Sequence, residues 1–175
     1  PASLDISWEG MVEDAGGQSQ LLNRAAQGLY PPGSIFKIVT ILEAMREDPE
    51  HYREGIFDCS GVFSHESYSI RCYHGTAHGL QDMEQAFANS CNGAFAELGL
   101  GLNLSTMSQL AEQLLFNADL PLPMAYSKSS YAMEEGAGDW EILQTSIGQG
   151  KTQVTPMHFA MITSAIANGG MLMKP

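Results

Sequence analysis

The most strongly patterned stretch of the chain is IFKIVTILEAMRE, residues 35–47. Wound as a helix, it places Ile35, Phe36, Ile38, Val39, Ile41, Leu42 and Met45 on nearly every side. A helix that is apolar all round is a buried one. Pro31, Pro32 and Gly33 punctuate the chain just before it, and Ser34 stands where a helix is capped. Lys37 is the single charge in the first turns, and a lysine there is costly unless it is paired or functional. Downstream the pattern weakens. Residues 55–79 read as irregular or a short hairpin, with strand character in SYSIRCY (67–73). A helix is expected from Leu80 to about Ala88, interrupted by Ser90-Cys91-Asn92-Gly93, and a second from about Ala94 to Leu98.

Ser105 opens an amphipathic helix in which Met107, Leu110, Ala111, Leu114 and Leu115 recur at helical spacing. Residues 117–138, with Pro121, Pro123, Gly136 and Gly138, read as loop, and a short helix is expected around Trp140 to Gln144. The last helix is well punctuated, with Thr155 as cap, Pro156 at its first position and Asn168-Gly169-Gly170 at its end. Residues 1–30, with Gly10, Gly16 and Gly17, read as loop. The sum is about six helices with a small β or irregular segment, so the fold is mainly α. Either the other helices or a sheet must cover the buried helix at 34–47.

Composition narrows the function. A length of 175 residues suits one domain with a real core. A formal net charge of −12 excludes a nucleic-acid surface, which needs clustered Lys and Arg, and a polybasic membrane patch. No apolar run approaches the ~20 residues of a membrane span, and no signal-peptide pattern opens the chain. Cys59, Cys72 and Cys91 make an odd count that defines no disulfide framework. A Cys59–Cys72 bridge in an oxidising compartment and two small buried hydrophobes are equally open readings.

The chemistry begins with Ser34 and Lys37. Positions i and i+3 share a helix face, with Cβ atoms ~5–6 Å apart, so the amine reaches the hydroxyl. A serine hydroxyl is a weak nucleophile until a neighbour takes its proton. A free lysine, with a pKa of ~10.4, must lose about three units, or ~4 kcal/mol, to act as that base near neutrality. The apolar helix and its positive N-terminal end act in that direction, and the N-terminal amides suit an oxyanion above Ser34. Taken alone, S-x-x-K is a weak signal, because a capping serine followed by a snorkelling lysine gives the same four residues.

The surroundings change the weight. NRAAQGLYPPGSIFKIVT (23–40) resembles the first motif of class B penicillin-binding proteins, the monofunctional transpeptidases of bacterial cell-wall synthesis. Ser90-Cys91-Asn92, inside HGLQDMEQAFANSCNGAFAELG, resembles the family's second motif, S-x-N. SIGQGKTQVTPMHFAMITSAIANGG (146–170) is similar to the family's I-G-Q-G stretch, V-T-P and the helix ending in A-N-G-G. The resemblance runs over nearly the whole chain. It implies that Ser34 is acylated by the D-Ala-D-Ala end of peptidoglycan stem peptides, and by β-lactams that mimic it. It implies Lys37 as the base, Ser90 as proton relay to the leaving amine, and Asn92 as orienter of Lys37 and binder of the substrate amide. No cofactor and no metal are implied. The implied parent protein is membrane-anchored by an N-terminal segment, works at the extracytoplasmic face of the bacterial membrane, and has cell-wall synthesis partners.

The sequence also departs from the family. The third motif, K-T-G, is expected on a sheet strand after the A-N-G-G helix and is absent. Lys151-Thr152 is followed by Gln153 and precedes that helix, so it does not fill the role. Residues 1–175 are therefore expected to be one partial transpeptidase domain, the helical part of an α/β fold with its central sheet strands largely missing. By itself it is expected to be inactive or nearly so. Rival readings are a β-lactamase or β-lactam sensor, for which Glu134, Glu135 and Asp139 are the candidate carboxylates, and a non-catalytic interaction fragment. GQGKT is not a P-loop, because Thr145 stands where the first glycine is required. Cys59, Cys72, His74 and His78 invite a zinc reading, but a thirteen-residue step from one cysteine to the next is not a zinc-knuckle spacing.

Overall fold

A computed structural model describes residues 22–174. Most of the loop expected over residues 1–30 lies outside the described residues; within the described part, Arg24–Gln27 forms a helical turn, α1, capped by the Asn23 side chain. A 3-10 turn, Gly33–Phe36, runs directly into α2, Lys37–Glu47, and α3 follows at Pro49–Glu54. Four short strands come next: β1 Ile56–Cys59, β2 Val62–His65, β3 Tyr68–Arg71 and β4 Gly79–Asp82. They pair as two separate antiparallel sheets, β1 with β4 and β2 with β3. The remainder is helical: α4 Met83–Ala88, α5 Asn92–Gly101, α6 Leu104–Gln113, α7 Asp139–Ser146 and α8 Pro156–Ala167. Among the described residues the strands form only these two pairs and no larger sheet, which fits the helical part of an α/β fold.

Three local expectations change. Residues 80–82 are strand, because Leu80, Gln81 and Asp82 complete the pairing with β1; α4 starts only after Asp82, which forms a reciprocal capping box with Gln85. Ser34 does not cap α2; it is the second residue of the 3-10 turn, and its hydroxyl is exposed. Asn103, not Ser105, caps the amphipathic helix, accepting from the Ser105 and Thr106 amides. The last helix follows its punctuation: the Thr155 side chain accepts from the His158 amide, and Pro156 opens the first turn.

Helix α2 is central because its two faces enter two cores. Ile41 and Ala44 join Phe57, Ile70, Met83, Phe95 and Leu143. Phe36 and Val39 join Met107, Phe116, Tyr131 and Phe159. The burial is not complete on all sides, since Ile35 is 48% and Met45 43% exposed. Besides Lys37, two polar side chains of α2 are fully buried and satisfied in part: Thr40 donates to the Ser146 carbonyl (2.9 Å), and Glu43 binds Arg46 (2.8 Å).

Candidate active site

The first turn of the central helix is fixed from outside. Gly33 has φ +60° and Gly148 φ +78°, left-handed values that favour glycine. The Gly33 amide donates to the Gly148 carbonyl (2.8 Å), and the Tyr30 and Val154 backbones exchange two hydrogen bonds (3.1 and 2.9 Å). A Cβ on Gly148 would run into the Gly33 carbonyl. The I-G-Q-G and V-T-P stretches thus act as the rail against which the Tyr30–Ser34 segment is laid.

All four residues expected to carry chemistry meet around one atom. Lys37 Nζ lies 3.5 Å from Ser34 Oγ, 3.0 Å from Ser90 Oγ, 2.6 Å from the Ser90 carbonyl and 2.7 Å from Asn92 Oδ1. Asn92 Nδ2 donates to the Arg71 carbonyl (2.8 Å), and a carbonyl only accepts, so the amide's orientation is set by this contact. The two carbonyl-type oxygens hold two amine N–H bonds. The remaining corner of the nitrogen faces the two hydroxyls, which can donate as well as accept. The amine can therefore lose a proton without leaving any of its acceptors bare.

Lys37 is buried to 1% exposure with the Phe95 ring 5.4 Å from its nitrogen. Burial pulls its pKa from 10.5 to about 8, and the neighbouring Cys91 and Cys72 oppose this by favouring the ammonium. Ser90 pays for its place with a left-handed backbone, φ 51°, a conformation held only when surrounding structure insists on it. Cys91 follows as the cap of α5, its sulfur accepting from the Ala94 amide, so that helix presents Asn92 from its first turn.

A cleft of about 490 Å³ opens over this corner, lined by Ser34, Ser90 and Asn92 and also by Tyr73, His78 and Gln149. The last three were not singled out as cleft residues from sequence; Gln149 stood inside the I-G-Q-G stretch, but its direction is a tertiary matter. Glu134 lines a different groove, beside Lys151, and Asp139 is bound to His65 (2.8 Å). Lys151 pairs loosely with Glu141 at 3.4 Å and lines the same groove as Glu134.

Beside the Ser90–Asn92 turn, Cys59, Cys72, Cys91 and His78, the last of which also lines the cleft, converge with their donor atoms all within 4.8 Å of one another. The three cysteines are free thiols, so the Cys59–Cys72 bridge left open by the sequence is not formed. His74 is not part of the group; its ring lies against Tyr73, 4.0 Å between centroids. Of the four residues considered from sequence, Cys59, Cys72 and His78 belong to the group and His74 does not, and Cys91 was not among them.

The profile of the penicillin-binding protein transpeptidase domain matches residues 8–175. The chain belongs to this family. It is 30% identical over 175 residues to peptidoglycan D,D-transpeptidase PbpA of Mycolicibacterium smegmatis, covering 97% of this chain and 34% of that protein. It is 31% identical over 172 residues to peptidoglycan D,D-transpeptidase MrdA of Acinetobacter baumannii, covering 89% and 25%. These relatives make it a class B penicillin-binding protein transpeptidase domain. Among solved structures, the ceftriaxone acyl-enzyme of penicillin-binding protein A from Mycobacterium tuberculosis superposes with a TM-score of 0.81 at 27% identity, over 96% of this chain and 38% of that one. The D,D-transpeptidase domain from Eggerthella lenta gives 0.83 at 27% identity, over 92% and 42%. The chain thus spans about a third of the length of PbpA and a quarter of MrdA.

Proposed function

We propose that this chain carries the acylation corner of a serine D,D-transpeptidase of peptidoglycan cross-linking. The observation that carries the reading is the Lys37 nitrogen, stripped of water, held by the Ser90 carbonyl and Asn92 Oδ1, and turned toward two hydroxyls. Ser34 Oγ gives its proton to Lys37 and attacks the D-Ala-D-Ala carbonyl. Ser90 relays a proton to the departing D-Ala amine, and the acyl group then passes to an amine of a neighbouring stem peptide. Asn92 holds Lys37 in place and meets the substrate amide. β-Lactams stop at the acyl-enzyme stage. The relatives are named peptidoglycan D,D-transpeptidases, and a related domain is solved as β-lactam acyl-enzymes. The placement of Glu134 and Asp139 outside the Ser34 cleft favours a transpeptidase over a β-lactamase, which needs a carboxylate to position its deacylating water.

In this reading the whole protein works at the extracytoplasmic face of the bacterial membrane, anchored there and associated with cell-wall synthesis partners. Substrate grip and part of the oxyanion hole come from a K-T-G segment, so the chain alone acylates slowly or not at all. Mass spectrometry after penicillin G treatment tests this on the chain and on the full-length protein containing it. Stoichiometric addition to the Ser34 peptide of the full-length protein, lost in Ser34→Ala, is expected. Absence of label in both, or label elsewhere, overturns the reading. Fast nitrocefin turnover in place of a stoichiometric burst makes it a β-lactamase. Rapid labelling of the chain alone overturns only the dependence on a third motif.

A further inference from the structure

We propose that Cys59, Cys72, His78 and Cys91 hold a structural zinc ion that pins the Ser90–Asn92 turn. Cys59 Sγ lies 3.6 Å from Cys72 Sγ and 3.4 Å from His78 Nδ1, and Cys72 Sγ lies 3.7 Å from Cys91 Sγ. Tetrahedral zinc with Zn–S of ~2.3 Å and Zn–N of ~2.0–2.1 Å sets ligand atoms roughly 3.5–3.8 Å apart. The side chains therefore already outline three of the six edges of the polyhedron, and the other three pairs lie within 4.8 Å. Three soft thiolates and one imidazole select zinc over the hard cations, and the four protein ligands gathered there among the described residues match a closed site, the structural rather than the catalytic kind. The three cysteines are buried and His78 is half-buried. Backbone amides already point at two of the sulfurs, Gly61 N at Cys59 (3.4 Å) and Ala94 N at Cys91 (3.5 Å), the outer hydrogen bonding that steadies a metal-bound thiolate. Binding exchanges the three thiol protons for one Zn²⁺.

The four ligands come from separate places: the end of β1, the residue after β3, the residue before β4 and the cap of α5. Among the described residues the two-stranded sheets share no pairing, and the ion ties both of them to the head of α5. Cys91 is the middle residue of the S-x-N corner. A bond to its sulfur holds the left-handed Ser90 on one side and Asn92 on the other, so the ion braces the groups that grip Lys37. This last consequence rests on the transpeptidase reading; the metal site does not.

The test is elemental analysis of protein purified under reducing conditions without chelator, together with cobalt(II) reconstitution of the metal-free protein. About one zinc per chain is expected. So are the strong thiolate-to-cobalt charge-transfer bands and the visible bands of a tetrahedral centre. Cys59→Ser and His78→Ala should each lower zinc stoichiometry by more than about half. If either variant fails to fold, the cobalt spectrum of the unaltered protein decides. Less than about a tenth of an equivalent of zinc with no tetrahedral cobalt spectrum overturns the site. So does a Cys59–Cys72 disulfide found by thiol counting in the purified protein. A protein that binds zinc but is never acylated overturns the proposed activity alone, whereas one acylated normally without metal at every zinc concentration overturns the bracing role.

Discussion

The Ser90-Cys91-Asn92 turn separates two clusters that differ in how they are built. On one side, Ser34 and Lys37 come from a single helical turn, and their approach is a property of local geometry. On the other, Cys59, Cys72, His78 and Cys91 arrive from four places in the chain and meet only because two small sheets and a helix head are packed together. The first cluster is polar groups wrapped around one buried amine; the second is buried sulfur. The turn between them belongs to both, since Ser90 and Asn92 touch Lys37 while Cys91 touches Cys72. A strained turn that must hold an amine in place gains from being anchored from behind.

The comparison is broken most severely at Lys37. Lys37→Met removes the proposed base and should lower the acylation rate of the full-length protein by about 10²–10⁴-fold in a fluorescent-penicillin assay, with thiol reactivity and circular dichroism unchanged. If the thiol cluster changes as well, the two sides are not separable.

The next effect is on stability. Lys37 titrates near 8 in the folded chain and at 10.5 when unfolded. Between those values the unfolded chain holds a proton that the folded chain has released, so stability rises with pH. Below about pH 8 the full desolvation cost of the ammonium is present. The gap spans 10.5 to about 8, equivalent to about 3 kcal/mol. Urea denaturation at pH 7.5 and 10.5, taken as the difference between the protein and Lys37→Met, isolates this gain from tyrosine and thiol titration. A difference independent of pH would mean the amine is not desolvated. Acylation of the full-length protein should rise as the pH approaches about 8 from below and level off above it.

Gly148→Ala attacks the support rather than the corner. The added methyl meets the Gly33 carbonyl in a left-handed backbone, which should cost about 2–3 kcal/mol in a thermal or urea transition. Asn92→Ala removes the 2.7 Å contact to Lys37 and the 2.8 Å contact to Arg71. It should slow acylation of the full-length protein about 10–100-fold, mainly through loss of the part-buried hydrogen bond to the amine. Lys151→Ala sharpens the picture by its silence: its exposed 3.4 Å pair with Glu141 is worth under ~1 kcal/mol, and acylation should not change. A large loss there would return Lys151-Thr152 to the list of functional motifs.

The helices were legible where their ends were written in the chain. Thr155-Pro156 and the Asn-Gly-Gly after α8 mark a helix by local chemistry, and local chemistry is what sequence displays. Residues 80–82 were misread as helix because what decides them is the strand of Ile56–Cys59 lying alongside, and pairing partners are not local. The exposure of Ile35 and Met45 was hidden for the same reason: an apolar helix does not say which of its sides finds a neighbour. Sequential spacing spoke against zinc because it cannot show that His78 reaches Cys59 and Cys91 reaches Cys72 across separate elements, whereas His74 lies against Tyr73.

By itself the sequence singled out the candidate pair, because Ser34 and Lys37 sit three positions apart and a helical turn brings that spacing together wherever it lies. It also determined the family, through motifs whose order survives without coordinates. Only the tertiary structure decided that Asn92 and the Ser90 carbonyl close on the amine, that Gly148 backs Gly33, and that three thiols and an imidazole share one pocket. Those contacts join residues far apart in the chain, and their geometry exists only once the packing of several elements has brought them together.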